Sequence, residues 1–396
     1  MIARDNYLDL LKSFKDKQLI KVVTGIRRCG KSTLYEIFRD CLKSSGISDE
    51  QIITINLEAP DFAEIRNYSE LYSYVNERLI PDKMNYVFLD EVQKVKDFQE
   101  ACDGLYIKKN VDLYITGSNA NILSGELATL LSGRYVEIKM QPLSFKEYIS
   151  ALGDSTDLSR KYREYIENGS FPYILELEGK KAKSIYLEGI YNSVILKDII
   201  ARKKILDVPV LEKVIRFIFD NIGNPTSATK IANALTSGGN KTSVNTVETY
   251  LKALQESFII YKAERYDIKG KQLLETGGKY YVADIGLRYY LLGTKRADRG
   301  HILENIVYLE LLRRGYEVHV GKVRNAEVDF IAINDEGPEY YQVAYSVVDD
   351  EVLDRELKPL DSITDHNPKY LLTMDDEPIA SHNGIKQINV LDWLLK

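Results

Sequence analysis

The stretch from Ile20 to Ile37, IKVVTGIRRCGKSTLYEI, decides the fold of this chain. It opens on a β-branched run, Ile20, Val22 and Val23, of the kind that forms buried strands. Gly25 follows, then four residues, then Gly30, Lys31 and Ser32 at the head of an apolar-periodic segment. The G-x-x-x-x-G-K-[ST] spacing thus sits in the setting that gives it meaning: strand, glycine turn, helix. Gly25 and Gly30 allow backbone angles and a close approach that a Cβ forbids. The N–H groups freed in the turn form an anion nest at a helix N-terminus. Gly25, Arg28, Cys29, Gly30, Lys31, Ser32 and Thr33 are therefore the expected contacts of a nucleotide's phosphates. Lys31 supplies a mobile charge for the β- and γ-phosphates, and the Ser32 hydroxyl supplies an oxygen for Mg²⁺.

Outward from this stretch, the next signal is NYVFLDE, Asn85 to Glu91, an apolar strand ending in two carboxylates. Asp90 is placed to bind a hydrated Mg²⁺, and Glu91 to polarise an attacking water as a general base. Such a pair elsewhere merely solvates a strand end; the phosphate loop before it makes the catalytic reading specific. A third apolar strand, VDLYITGSNA at 111–120, ends in Thr116-Gly117-Ser118-Asn119. Ser118 and Asn119 stand where a sensor of the γ-phosphate or the lytic water is expected, with Asn119 favoured; a cap for the next helix is the alternative. That helix reads as Leu123–Leu131 and runs into Ser132-Gly133-Arg134. Arg134 has two readings. One is an arginine finger reaching a neighbouring copy, which implies a homo-oligomer; the other is an intradomain salt bridge.

The surrounding pattern supports an α/β domain over residues 1–141. Residues 1–19 read as an amphipathic helix, 31–44 as a helix, and QIITINLE at 51–58 as a strand. Asp61–Leu79 reads as a helix broken by Pro81, and Asp97–Lys108 as another. Strands alternating with helices imply a three-layer arrangement on a parallel sheet. Ligands then lie beyond the carboxyl ends of the strands, where all the residues above fall.

Composition bounds the rest. The chain has 396 residues, enough for two to four domains, and a formal charge of −6. That balance gives no support to a globally basic nucleic-acid binder. Three cysteines, Cys29, Cys41 and Cys102, have no metal-ligand spacing and read as reduced thiols of a cytoplasmic protein. Cys29 is either a thiol made acidic by the helix N-terminus or a small residue tolerated in the loop. The opening MIARDNYLDL carries charges where a signal peptide needs an apolar core. No run approaches a membrane span.

Residues 142–204 read as a helical lid, with helices over Phe145–Leu152, Leu158–Asn168 and Ala182–Arg202 broken by Gly169-Ser170-Phe171-Pro172. Arg202 or Lys203 either folds back onto phosphate or solvates a helix end. Residues 205–292 read as a winged helix-turn-helix: helices at Leu211–Asn221, Ser227–Leu235 and Ser243–Ser257, then the strands FIIYKAERYD and GGKYYVAD. The third helix carries Glu248 and Glu256 against Lys252, a net −1, whereas the hairpin carries Lys262, Arg265, Lys269 and Lys271. Because phosphate neutralisation dominates nucleic-acid affinity, this favours a protein partner or non-specific DNA contact over sequence-specific reading.

Residues 293–396 form another α/β unit. A helix His301–Arg314 carries Glu304, the strand AEVDFIAI carries Asp329, and YYQVAYSV carries Gln342. This layout resembles the PD-(D/E)XK nucleases, in which Glu, Asp and a Glu-x-Lys pair bind metal and activate water. Here Gln342-Val343-Ala344 stands in place of Glu-x-Lys, so the reading is a degenerate nuclease fold used for binding, with Arg355 or Lys358 as substitutes for the lysine.

Taken together, the chain resembles the prokaryotic AAA-family P-loop ATPases that carry a C-terminal DUF4143 region. The matching residues are GIRRCGKST at 25–33, VFLDE at 87–91, ITGSNA at 115–120, LSGR at 131–134, GSFP at 169–172, ENIVYLELLRRGYEV at 304–318 and AEVDF at 326–330. The resemblance implies an AAA+-like core binding and hydrolysing ATP with Mg²⁺. It also implies a helical lid, a winged helix and a nuclease-like C-terminal domain.

Overall fold

The computed structural model describes residues 2–123, 131, 133–193, 198–203, 205, 207–293, 298–376 and 380–396. Its contacts divide the chain into two units, residues 1–142 with 256–258, and residues 143–255 with 259–396.

In the first unit, α1 (Asp5–Ser13) leads to β1 (Ile20–Thr24), and the glycine turn opens α2 (Lys31–Ser44). Then come β2 (Ile52–Asn56), α3 (Tyr68–Asn76), β3 (Asn85–Asp90), α4 (Phe98–Tyr106), β4 (Val111–Gly117) and β5 (Tyr135–Lys139). The helix expected over Asp61–Leu79 is shorter because Asn67 starts it late: its side chain accepts from the Ser69 and Glu70 amides, and the Glu70 carboxylate returns to the Asn67 amide. The helix expected at Leu123–Leu131 lies outside the described residues except at its ends.

The five strands are all parallel, in the order β2-β3-β4-β1-β5. β1 and β3 are buried along their whole length, which explains their near-continuous apolar sequences. One charge breaks the run. Lys21 on β1 is fully buried and pairs with Asp112 on β4. Burial pulls the Lys21 pKa down and pushes the Asp112 carboxyl up, each against the partner's charge. Asp112 also accepts from the Tyr114 hydroxyl at 2.8 Å and the Asp16 amide at 2.9 Å. The pair ties the strand before the phosphate loop to its neighbour.

The second unit begins with α5 (Phe145–Leu152) and α6 (Leu158–Asn168), both at the expected limits. α7 (Gly179–Ile190) and α8 (Asp198–Lys203) cover described parts of the helix read over Ala182–Arg202, and residues 194–197 between them lie outside the described residues. These helices group with the second unit. The GSFP turn is tied to a later segment of that same unit. The Ser170 amide and hydroxyl both donate to Asp284, at 2.6 and 2.7 Å, and a Cβ on Gly286 would meet the Gly169 backbone at 2.4 Å.

Three helices follow, α9 (Val208–Asp220), α10 (Ala228–Ser237) and α11 (Val244–Glu256), then the hairpin β6 (Ile260–Asp267) and β7 (Gln272–Val282). This order is the one read from the sequence, with Ser227 capping α10. The hairpin, however, is not confined to that region. β6 pairs in parallel with β8 (Glu317–Val323), which places the hairpin at one edge of the C-terminal sheet. A domain boundary at 292/293 would cut this sheet. The remaining elements are α12 (Ile285–Leu292), α13 (Arg299–Arg313), β9 (Ala326–Asn334), β10 (Gly337–Val343), α14 (Asp350–Asp361), β11 (Lys369–Thr373), β12 (Ala380–His382), β13 (Ile385–Asn389) and α15 (Val390–Leu394). The mixed eight-stranded sheet runs β12-β13-β11-β10-β9-β8-β6-β7. Among the described residues, no helix is long and apolar enough to cross a membrane.

Removing one partner of a buried ion pair strands the other charge. Lys21→Met is therefore expected to destabilise the protein by about 3–5 kcal/mol, and Lys21→Met with Asp112→Leu to recover most of the loss. Urea unfolding of the two variants and the parent measures both effects.

Candidate functional site

The carboxyl ends of β1, β3 and β4 bring the sequence-read residues together. Gly30 caps α2 with φ 103°, a left-handed angle suited to glycine. Gly25 has φ 149°, and a Cβ there would lie 2.0 Å from the Met140 carbonyl oxygen, so only glycine fits. Lys31 is buried at the head of α2. Its ammonium donates to the Gly25 and Ile26 carbonyls at 3.0 and 3.3 Å and lies 3.8 Å from Glu91. The Ser32 hydroxyl donates to Asp90 Oδ2 at 2.6 Å. The expected Mg²⁺ ligands thus touch one another, although they are far apart in sequence. A hydroxyl beside a carboxylate is a set of hard oxygen donors that fits Mg²⁺.

Residues missed by the sequence reading complete this edge. The Thr116 hydroxyl donates to Asp90 Oδ1 and accepts the Glu91 amide at 2.9 Å. From the strand between β1 and β3 it therefore holds the Asp90 carboxylate and the Glu91 backbone. The Glu91 backbone is left-handed, φ 53°, an unfavourable conformation for a non-glycine residue that recurs at functional sites. The Glu91 carboxylate accepts from Gln93, whose amide also reaches Ser118 at 3.3 Å. Gln93 lies two residues after Glu91, so its position was a usable signal. Asn119 is buried, and its Oδ1 has no hydrogen-bond partner among the described residues. A buried amide oxygen without a partner is a group that a bound ligand or water could satisfy; the helix that the cap reading needs lies outside the described residues.

Other candidates lie differently. Cys29 is fully buried with its thiol toward the Met140 carbonyl at 3.6 Å, and burial raises its pKa. It is the small buried residue, not an acidic thiol; only its backbone belongs to the loop. Arg28 has an exposed side chain and a left-handed backbone, φ 68°. Thr33 lies in the first turn of α2, half-buried. Arg134 immediately precedes β5, and its carbonyl accepts from the Ile20 amide at 2.8 Å. That is the amino end of the sheet, opposite the phosphate loop. Its guanidinium pairs with Asp103 and lies over the Tyr106 ring. Within the chain, Arg134 thus makes the intradomain salt bridge that was one of its two readings. The Arg202 side chain lies outside the described residues.

The second unit holds the other constellation. Glu304 on α13 and Asp329 on β9 do come together, and a lysine does join them, but from an unexpected place. Lys279 of β7 lies 2.8 Å from Glu304, 2.9 Å from Glu327 and 3.6 Å from Asp329. Neither Arg355 nor Lys358 takes this position; Arg355 pairs with Glu356. Gln342 donates to Glu356 at 2.8 Å and accepts the Asp329 amide at 3.4 Å. The Tyr281 hydroxyl donates to Glu304 at 2.5 Å. Burial works to lower the Lys279 pKa, but Glu304, Asp329 and Glu327 outweigh it and hold it raised. Burial, reinforced by the Glu304 charge, pushes Asp329 up to about 7. Among the described residues, no group of His, Cys, Asp and Glu forms a metal cage.

A phosphate loop after an interior strand of five parallel strands, with its serine bonded to a strand-end aspartate two strands away, defines a P-loop NTPase. Residues 17–149 match the family described as an AAA domain, and residues 159–298 a domain of unknown function, DUF8612. The second match replaces the DUF4143 region that the C-terminal motifs resemble. The chain belongs to the family of an uncharacterized protein of Haemophilus influenzae, to which it is 42% identical over 100% of its own length and 99% of the relative's. An uncharacterized protein of Methanocaldococcus jannaschii is 29% identical over 94% of this chain and 85% of that one. Among solved structures, a Walker-type ATPase of Pyrococcus abyssi shares the fold with a TM-score of 0.50 at 15% identity, covering 74% of this chain and 96% of that one.

The raised Asp329 carboxyl has a pH signature. Between its ordinary value of 3.8 and about 7 the folded state holds a proton that the unfolded chain has lost. Its contribution is therefore fully present below pH 3.8 and is lost as pH rises through 7. Lys279 stays charged throughout, as its raised pKa requires. The difference in unfolding free energy between the parent and Asp329→Asn should shift against the parent by on the order of 1–3 kcal/mol from pH 4 to pH 8. Urea titrations across that range check the sign.

Proposed function

We propose that this protein is an ATP-hydrolysing AAA switch whose nucleotide state acts on its C-terminal unit. The 2.6 Å contact between Ser32 and Asp90 carries the reading, because it assembles a hard-oxygen metal site beside Lys31 and Glu91. ATP with Mg²⁺, when bound, supplies the γ-phosphoryl group and the charge that offsets it in transfer. The chain's residues do the remaining work. The amides of the loop and of the first turn of α2 hold phosphate oxygens. Lys31 exchanges its carbonyl partners for phosphate. Ser32 and Asp90 hold the metal, and Thr116 fixes Asp90. Glu91 accepts the proton of the attacking water on its carboxylate, and Asn119 orients that water through Oδ1.

The winged-helix reading of α9 to β7 is part of this proposal. It is supported by the three-helix-plus-hairpin order and by the basic residues Lys262, Lys269 and Lys271 on the hairpin. Its partner is another protein or DNA held through phosphates. The protein self-associates, with Arg134 as the residue that could reach a neighbouring copy's nucleotide.

A second reading, cleavage of nucleic acid by the nuclease-like constellation, gains one observation: Lys279 supplies the cation that Ala344 lacks. Mg²⁺- or Mn²⁺-dependent cleavage by the parent, lost in Asp329→Ala, would establish it.

For the leading reading, Lys31→Ala is expected to abolish nucleotide binding. Glu91→Gln should retain ATP while hydrolysis falls by a factor of about 10²–10⁴. Single-turnover hydrolysis and retention of radiolabelled ATP measure the two effects. Unchanged hydrolysis in Glu91→Gln removes Glu91 as the base.

A further inference from the structure

The phosphate loop is pinned by a residue that belongs to none of the nucleotide motifs. Arg4 lies just before α1 and is 4% exposed. Its guanidinium donates to the Cys29 carbonyl at 3.0 Å and to the Gln141 carbonyl at 2.6 Å. It also lies over the Tyr7 ring, 4.9 Å from the centroid. The Tyr7 hydroxyl in turn accepts the Gln141 amide at 3.2 Å. A guanidinium fork suits this task, because its rigid spread of donors reaches two carbonyls at once.

The other end of the loop rests on the same short segment. The Met140 amide donates to the Thr24 carbonyl at 2.7 Å. Its carbonyl oxygen occupies the place of a Cβ on Gly25 and receives the Cys29 thiol. Residues 140–141 therefore form a floor under the loop. Arg4 ties the Cys29 end of the loop to that floor.

The bond to Cys29 has a consequence one atom pair further on. The peptide from Cys29 to Gly30 is planar and trans, so its C=O and N–H point in opposite directions. Holding the Cys29 oxygen toward Arg4 aims the Gly30 N–H away from Arg4. That N–H is one of the donors a phosphate loop presents to its anion. We propose that Arg4 is a positioning residue for the nucleotide site: through the Cys29 carbonyl it orients the Gly30 amide for phosphate and keeps the loop seated on residues 140–141. The proposal rests on the ATP-binding reading above. Arg4 touches neither nucleotide nor metal and acts through the backbone, so its loss weakens binding more than chemistry.

The test compares the full-length parent, Arg4→Met and Arg4→Lys, measuring ADP affinity by calorimetry and the KM and kcat of ATP hydrolysis, with Lys31→Ala as the non-binding control. Arg4→Met is expected to raise the ADP dissociation constant and KM about tenfold, with kcat within about threefold of the parent. Arg4→Lys keeps the charge but reaches one carbonyl, and should recover part of the affinity; it also serves if Arg4→Met does not fold. A lower thermal midpoint with unchanged ADP affinity in a folded variant would make Arg4 a structural tie and overturn the proposal. Parent protein that binds ADP no better than Lys31→Ala overturns the ATP reading, and this proposal with it. Normal parent binding with unaltered Arg4 variants overturns this proposal alone.

Discussion

The first unit is built around the hydrogen bond from Ser32 to Asp90. Ser32 lies in the first turn of α2 and Asp90 closes β3, and the strand that leads into α2, β1, is separated from β3 by β4. The bond exists only if α2 begins immediately beyond β1 and β3 ends level with it. Parallel register supplies that condition: Val23 aligns with Thr116, while Leu89 aligns with Ile115, one residue earlier on β4. Thr116 thus falls beside Asp90 and closes the triangle of oxygens from the intervening strand. The local cost is visible on either side. Arg28 and Glu91 both hold left-handed backbones, conformations that cost on the order of 1–3 kcal/mol each and persist only where the surroundings over-determine them. Both flank the groups expected to handle phosphate and water.

The C-terminal unit follows a different constraint. Its sheet recruits a hairpin from upstream, and that hairpin delivers Lys279 among carboxylates from α13 and β9. Asn305, one residue after Glu304, fixes the geometry: its amide accepts from the Val282 N–H and donates to the Val282 carbonyl, imitating a neighbouring strand. Helix and hairpin are locked together three residues from the lysine. A buried ion cluster of this kind rewards complete assembly and penalises partial assembly, which makes it specific for one register.

How much of this was legible follows from where each signal lies. The phosphate loop, the strand-end carboxylates and the strand-helix alternation are local patterns with fixed spacing, and the structure keeps them together. Most helix limits were also readable, because caps such as Ser144 and Ser227 and the glycine at 153 are local chemistry. Thr116, Arg4 and Lys279 were illegible for a common reason. Each acts through a partner distant in sequence, and only the folded register shows which partner. Lys279 was hidden further by its setting, since a basic residue on a hairpin reads naturally as part of a wing. Arg134 is the opposite case: its motif was visible in the sequence, and the fold adds its partner Asp103, thirty-one residues away.

The two buried lysines show which cluster is equipped to act. Both stand near carboxylates, yet their bonding differs in kind. Lys31 holds two backbone carbonyls and keeps Glu91 at 3.8 Å, beyond hydrogen-bond length. Exchanging neutral carbonyls for a phosphate brings an ammonium from weaker to charge-assisted partners. Lys279 is already bonded to Glu304 and Glu327, with Asp329 close by. Withdrawing it would leave the buried Glu304 without its cation and facing Asp329, at a cost of about 3–5 kcal/mol for a broken buried pair. A lysine that reacts to a ligand must have partners it can leave. Lys31 meets that condition, and Lys279 is held in place by the charges it neutralises.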